Sequence, residues 1–423
     1  MPLKKLLADI RNNALILPLY LPALLTAFVE GISNPTLPLY ARELGAAYAA
    51  VGLILAGRPL GMLLAALPGG MILRAVGQKR SMIGGLTATV FAYFAMFTAN
   101  TVFTALLYQL IAGVGIAIYG IARHAYIATH ISVGTRGRAV ALFGGINRTG
   151  IFIGPTVGGL VAAAYGLHMP FALMGLVCIA ALLAVWLWVP ADTPEKRPSD
   201  ERFSDYVGQL FGTMVDHKAI LTSAGLGQLM AQGVRATRRA IIPLYAAEVL
   251  GLDVAAVGLL DSISSAIDMS MFYPAGMIMD RLGRKFAVVP SFFFQGLGVA
   301  LIPLTTGFWS LTAVASLIGL ANGLSSGTML TIGADLAPKE GRSEFLAIWR
   351  LIGDMGGTVG PLFVGIVAGW FALPVAAVVM SSTGFLAAGI FGRFVPETLQ
   401  REGKTAVLLP TFLTRPRKNM ERE

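Results

Sequence analysis

The residues in this chain best able to do chemistry are charged ones in apolar surroundings. Glu30, Arg58, Arg148, Arg235, Arg238, Asp261, Asp268, Arg350 and Asp354 all fall within long apolar runs. An isolated charge at the centre of a bilayer costs at least about 2.5 kcal/mol, so these groups must pair with one another or line a wet cavity. A carboxyl in such a place can take up and release a proton. Glu30 is the first candidate for that role, followed by Asp261 and Asp268, seven apart on one helix face, and by Asp354. Whether each keeps its proton rests on the balance between desolvation and nearby arginine. Arg235, Arg238 and Arg239 form an unusual cluster in one run. They either favour an anionic or zwitterionic substrate or neutralise Glu30, Asp261 and Asp268. His124 titrates in a useful range but lies close to the end of its run, where a solvated or structural role suits it. Purely structural ion pairing accounts for part of the set.

Other chemistries lack their residues. The chain has no G-x-x-x-x-G-K-[ST] phosphate loop, no cluster of zinc ligands and no serine–histidine constellation, so an enzyme, an ATP-driven pump, a metal and a cofactor are not expected. The single cysteine, Cys178, sits in an apolar run and cannot found a disulfide framework. A net charge of +10 raises the question of nucleic acid, but the basic residues are dispersed over short loops and form no contiguous basic domain.

The elements that must hold these charges are membrane helices. Of 423 residues, 56% are hydrophobic and only 13% charged, about half the charge fraction of an ordinary soluble chain. Fifty glycines suit helices whose backbones approach closely in lipid. Apolar runs of about 20 residues recur, each long enough to cross a bilayer core. They predict helices over 14–40, 47–71, 81–99, 102–126, 138–164 and 169–189, and over 219–246, 255–278, 286–305, 309–334, 344–369 and 373–394. This gives an all-α integral membrane protein with an N-terminal half (1–189), a polar linker (190–218) with a short amphipathic helix near Phe203–Val215, a C-terminal half (219–396) and a tail (397–423).

Lysine and arginine placement sets the orientation. One side carries Lys4, Lys5, Arg11, Arg74, Lys79, Arg80, Arg136, Arg138, Lys196, Arg197, Arg202, Lys218, Arg281, Arg284, Lys285, Lys339, Arg342, Arg401 and Lys404, and the other essentially only Arg42. Both termini are therefore expected in the cytoplasm, with the protein multi-pass in a cytoplasmic membrane. The basic residues Lys4, Lys5 and Arg11 precede a run too long for a cleaved signal core.

The two halves are copies. Gly276-Met-Ile-Met-Asp280-Arg281-Leu-Gly283-Arg284-Lys285 recurs 206 residues earlier as Gly70-Met-Ile-Leu-Arg74-Ala75-Val-Gly77-Gln78-Lys79. Pro68 matches Pro274, Gly154-Pro155 matches Gly360-Pro361 and Pro190 matches Pro396 at the same offset, and Leu39-Tyr40 matches Leu244-Tyr245 with a one-residue slip. Six-helix halves in one orientation imply a pseudo-two-fold axis along the membrane normal, with substrate in the cleft between them.

On these motifs the chain resembles the major facilitator superfamily over nearly its whole length. Gly276–Lys285 matches that family's loop signature G-x-x-x-D-R-x-G-R-K at every fixed position, and the first-half copy departs from it at Arg74 and Ala75. Gly150-Ile-Phe-Ile-Gly154-Pro155-Thr-Val-Gly158-Gly159 matches the fifth-helix core of the family's proton-exchanging drug and metabolite exporters. The arginine those exporters carry on the fourth helix, four residues before a glycine, is Gln109 here.

The resemblance implies twelve helices and rocking of one half against the other. It implies that Asp280 faces the start of helix five near Arg136 and Arg138, and that the glycine–proline stripe packs on helix eight. It implies a cavity lined from helices one, four, seven and ten, here by Asn34, Tyr119, Arg123, Gln228, Gln232, Arg235, Arg238, Asn322 and Ser326 beside Glu30. The repeat sets Glu30 opposite Arg235. Helices five and eight, and two and eleven, are expected to meet across the cleft. Depth then suggests the pairs Arg148–Asp268 and Arg58–Asp354, although Arg350 and Asp354, four apart, can pair along one face. The expected function is secondary transport of a small organic molecule, by proton-coupled efflux. The alternatives are proton-coupled or facilitated uptake of a metabolite, with sugar uptake a minor case, and a transporter-like sensor without flux. The expected partners are a small-molecule substrate, protons and the lipid bilayer, with the protein a monomer.

Overall fold

The computed structural model describes residues 15–131, 133–192 and 203–399, and side chains within 133–141 and 203–207, and that of residue 67, lie outside the description. The expected positions of Lys4, Lys5, Arg11, Lys196, Arg197, Arg202, Arg401 and Lys404, and the side chains of Arg136 and Arg138, therefore lie outside the described residues. Spans 1 to 6 are the helices Leu21–Glu43 (preceded by a π-helical turn, Ile16–Tyr20), Tyr48–Val76, Gln78–Phe97, Val102–His130, Val133–Tyr165 and Met169–Trp188. The helix Phe203–Asp216 precedes the second half. Spans 7 to 12 are Lys218–Glu248, Val254–Ser270 with Phe272–Arg281, Arg284–Leu301, Phe308–Leu324 with Thr328–Leu336, Arg342–Trp370, and Leu373–Arg393. Among the described residues nine of these crossings are long and apolar enough for a bilayer. Gln78–Phe97, Val133–Tyr165 and Lys218–Glu248 complete the twelve.

Two spans differ from expectation by being broken. Span 8 stops at Ser270 and restarts at Phe272 because Pro274 has no N–H to give and crowds the carbonyl four residues back. Span 10 stops at Leu324 and restarts at Thr328, around Gly327 with φ +75°, a left-handed turn that glycine adopts without strain. Both breaks lie beside the intramembrane charges.

The repeat is visible in side-chain detail. Tyr40 donates to the carbonyls of Ala99 (2.6 Å) and Met96, and its counterpart Tyr245 donates to that of Pro303 (3.2 Å), each pinning the end of a half's first span to the end of its third. Gly77 and Gly283 both have positive φ, and each precedes a helix whose first N–H groups face a carboxylate. Asp192 accepts from the N–H groups of Gln78 and Lys79, and Glu397 from those of Arg284 and Lys285. A negative charge at a helix N-terminus is favoured there, so each half ties its last span back to its third.

The halves meet at the end opposite the basic loops. A Cβ on Gly258 would lie 2.3 Å from the Pro155 carbonyl oxygen, and one on Gly52 would lie 2.4 Å from that of Pro361. Glycines let these backbones touch where any side chain would part them. At the basic end Asp280 is exposed, and its ion-pair partner among the described residues is Arg284 of its own half, at 3.0 Å.

Candidate functional site

Three groups of intramembrane charge lie between the halves. In the first, Glu30 of span 1 meets Arg58 of span 2 (Oε1 to Nη2, 3.0 Å) and Arg239 of span 7 (Oε1 to Nη1, 3.4 Å). Arg58 belongs to one half and Arg239 to the other, so one carboxylate oxygen bridges them. Beside this trio is a cavity of about 80 Å³ bordered by Ser33, Asn34, Arg58, Gln109 and Arg239. Arg58 reaches it because span 2 lies tight on span 4, where a Cβ on Gly113 would be 2.1 Å from the Arg58 carbonyl oxygen. A smaller pocket behind Glu30 is lined by Thr26, Thr89, Tyr93 and Cys178.

In the second group Arg148 of span 5 donates to Asp268 of span 8 (2.8 Å) and to the Ser326 hydroxyl in the break of span 10. Asn322 donates to the other Asp268 oxygen (2.8 Å), and Arg235 donates to the Ser325 hydroxyl (2.7 Å) and carbonyl (3.3 Å). The broken helix supplies the polar groups that an intact one would keep for itself. The third group is weak. Arg350 and Asp354 pair along their own helix at 3.8 Å, with Arg350 largely exposed.

Several sequence expectations are corrected by these positions. Arg58 does not reach Asp354, because it turns to Glu30 within its own half and Asp354 is left to Arg350. Glu30 meets Arg239 and not Arg235, one turn earlier, which serves Ser325. Tyr119 is fully buried in the core of its own half beside Met82, Leu86 and Val185, away from the cleft. Gln228 and Gln232 pack on Gly353 and Gly356 of span 11. Arg123 lies over the rings of Tyr119 and Phe143. Gly150, Gly154 and Gly158 face span 1, at Leu24, Phe28 and Ile32, whereas Gly159 and the Pro155 carbonyl face span 8. Asp261 Oδ2 and Arg238 Nη1 are buried with no hydrogen-bond partner among the described residues.

Other residues matter that neither apolar runs nor motifs single out. Glu248 takes Arg42 (2.6 Å) and the Tyr48 hydroxyl at the end opposite the basic loops. The repeat carries no signal for this pair, because the one-residue slip aligns Glu248 with Glu43 and Arg42 with Ala247. Asp192 and Glu397 each follow the repeated proline, Pro190 or Pro396, within two residues. Gln109, noted only as a missing arginine, borders the cavity beside Arg58.

Twelve spans, two copies of six helices and a charged cleft between them define the architecture, and the model of the Major Facilitator Superfamily matches residues 19–231 and 224–417. The chain belongs to the Major Facilitator Superfamily. It is a membrane transporter and not an enzyme. Similar proteins include the multi-drug resistance efflux pump PmrA of Streptococcus pneumoniae, 24% identical over 80% of this chain and 85% of that protein. They also include the multidrug resistance protein MdtG of Citrobacter koseri (22%, covering 81% and 85%) and an uncharacterized MFS-type transporter of Methanocaldococcus jannaschii (21%, covering 80% and 87%). Among solved structures, a mutant of the nucleoside transporter NupG superposes with a TM-score of 0.75 at 14% identity, over 90% of this chain and all of that one. A D-xylose-proton symporter superposes with a TM-score of 0.73 at 18% identity, over 91% and 98%. These structures share the superfamily's twelve-helix fold.

Proposed function

We propose that the chain is a proton-coupled secondary transporter of a small organic molecule, in which the halves alternate access to the cleft and Glu30 carries the proton. The observation behind this reading is Glu30 itself, whose carboxylate touches an arginine from each half. Protonating it weakens an attraction across the cleft, which is what coupling a proton to a rocking motion requires. Arg148–Asp268 is a second charged bridge across the same cleft. With the basic end in the cytoplasm, as the positive-inside pattern supports, the halves are closed on the outer side and the cleft faces inward. A bacterial cytoplasmic membrane with both termini inside fits this arrangement. The intact Gly276–Lys285 loop belongs to the moving parts of such transporters and supports flux over a sensor role.

Export in exchange for protons is the direction supported by the fifth-helix signature and by the drug pumps among the relatives. Movement of substrate and proton together is a second reading, favoured by one observation: Glu30 is held by two cations and is not free to receive a third. The test is flux in proteoliposomes under an imposed pH gradient, with wild type and Glu30→Gln, using cationic drugs and organic anions. Proton-linked flux that disappears in Glu30→Gln is expected. Equal flux in both proteins, indifferent to the gradient, would make the chain a facilitator and return Glu30 to a structural pair.

A further inference from the structure

The trio at the cleft is unbalanced. Two guanidinium groups, Arg58 and Arg239, share one oxygen of Glu30, so the cluster carries a surplus positive charge within the membrane. Each guanidinium offers five N–H donors, far more than the single carboxylate can satisfy. Both arginines border the cavity of about 80 Å³, and so does Gln109, which is only 1% exposed and whose Oε1 has no hydrogen-bond partner among the described residues. A buried amide without a partner costs free energy unless something else completes it. The cavity is therefore complementary to a negative group against the arginines and a hydrogen-bonding group against Gln109, with Leu37 and Leu55 as apolar wall. Its size admits a few heavy atoms.

We propose that this cavity binds a small organic anion bearing a hydroxyl or amino group, and that Glu30 is the built-in competitor of that anion for Arg58 and Arg239. The inference rests on Glu30 being the proton carrier, and it gives the second coupling mode a mechanism. With Glu30 ionised, the trio has a net charge of +1 and the arginines are engaged. A proton on Glu30 breaks both ion pairs and leaves +2. A monovalent anion then takes the arginines and restores +1. The empty and the doubly loaded cluster thus carry the same charge through the membrane, while either half-loaded form carries one charge more or less. Proton and anion assist each other's binding and cross together, and the direction follows their combined gradients. An anion abundant in the cell leaves with its proton, and a scarce one enters.

The other groups around Glu30 do not supply a rival charge. Tyr93 of span 3 and Cys178 of span 6 line the pocket behind it and are neutral types near neutral pH. Arg148 of span 5 is taken by Asp268. Asp261 of span 8 lies in the field of Arg238 and Arg239, and Arg238 brings the cation that offsets it, so the five groups together keep the surplus of one positive charge.

The test uses the full chain purified in detergent and the probes glycolate, lactate, isethionate and glycerol 3-phosphate, with succinate as an anion that lacks the hydrogen-bond donor and tetraphenylphosphonium as a cation. Ligand binding is read from the rise in melting temperature with concentration, at about pH 6 and about pH 8 on either side of neutrality. At least one anion is expected to bind wild type more tightly at the lower pH. Arg58→Gln and Arg239→Gln should lose that binding. Glu30→Gln should bind the same anion at least about tenfold more tightly at the higher pH and lose the pH dependence, as removal of a competing close ion pair implies. A gain of affinity cannot come from misfolding. Stabilisation by tetraphenylphosphonium and by none of the anions would overturn the proposal, as would an anion affinity that Glu30→Gln leaves unchanged or weakens. The two readings fail separately. Tighter anion binding in Glu30→Gln without proton-linked flux by wild type would keep the site and remove the coupling. Flux that depends on Glu30 with no anion bound would do the reverse.

Discussion

A guanidinium that loses its carboxylate inside a membrane keeps its charge and has nowhere to put it. Arg148 and Asp268 are mostly buried, 2.8 Å apart. Asp268→Asn is therefore expected to destabilise the protein by about 3 kcal/mol, the usual cost of orphaning one member of a buried pair. Arg148→Met with Asp268→Leu should recover most of that loss, because removing both charges also removes both desolvation costs. Thermal unfolding in detergent, single variants against the double, checks it. If the double variant is no more stable than Asp268→Asn, the loss comes from contacts that Asp268 itself makes, the one with Asn322 among them, and not from an orphaned arginine charge. This pair was legible in the sequence, whereas Arg58–Asp354 was misread from the same argument. Depth along a helix can be counted from residue numbers, but the direction in which a side chain leaves the helix cannot be counted so well. The repeat contained the correction: the position equivalent to Asp268 is Met62, and Arg58 lies one turn away from it. The second diagonal of the cleft has no cation at the matching place, and its aspartate, Asp354, pairs along its own helix.

At the scale of the element, the carboxylates that follow each half's last span are capping groups placed far away in sequence. Burial pushes the Glu397 carboxyl up, but N–H groups from Leu399, Lys285 and Arg284 stabilise its charged form and the net direction is down. A carboxyl whose folded-state pKa is lowered contributes stability above its unfolded value and loses it as pH falls through the folded one. The contribution of Glu397 should therefore persist at neutral pH and fade only below about pH 4, the ordinary glutamate range. Glu397→Gln should lower the melting temperature at neutral pH and make its acid side less steep than in wild type. Identical acid limbs would show that the cap carries no linkage. The sequence displayed the prolines and the carboxylates after them, but only the fold reveals that Gly77 and Gly283 bend the chain toward them. Span lengths were legible because apolar runs are long, and the breaks in spans 8 and 10 were not, since hydropathy is blind to a missing N–H or a left-handed glycine. Contact between spans 5 and 8 makes its own prediction. Gly258→Leu places a side chain where a Cβ alone would be 2.3 Å from the Pro155 carbonyl oxygen, so the outer ends must part. In a Cys178→Ser background, Ser33→Cys should then react faster with a membrane-impermeant thiol reagent from that side. An unchanged rate would mean that the glycine contact does not hold the cleft shut.

At the scale of the whole molecule, a pseudo-two-fold axis has a consequence for any residue lying near it: the residue meets its own counterpart in the other half. Two identical charges would then repel unless a cation is set against them. The one-residue slip that aligns Tyr40 with Tyr245 makes Glu43 and Glu248 such counterparts. Glu248 is held by Arg42, whose own counterpart is the uncharged Ala247, at 2.6 Å, with Tyr48 donating to the second carboxylate oxygen and the Arg42 side chain lying over the Tyr48 ring. The one arginine that orientation counting leaves on the outer side is thus half of a clasp between the halves. Its side chains are partly exposed, so the pair itself contributes about 0.2–1 kcal/mol, enough to shift a two-state balance by no more than roughly fivefold. Glu248→Arg replaces that attraction by repulsion and should move the population toward the outward-open state. Arg42→Glu combined with Glu248→Arg rebuilds the attraction with its poles exchanged and should move it back. Distances between spin labels on the outer ends of spans 1 and 7 report the populations directly. A longer-distance fraction that grows in the single variant and shrinks in the swapped pair is expected. If the swap leaves that fraction as large as the single variant does, closure on this side belongs to the glycine contacts of spans 2, 5, 8 and 11, with the charges following the motion. The fold's symmetry and this departure from it, an arginine whose counterpart is alanine, would then be separable, the first closing the cleft and the second only decorating its rim.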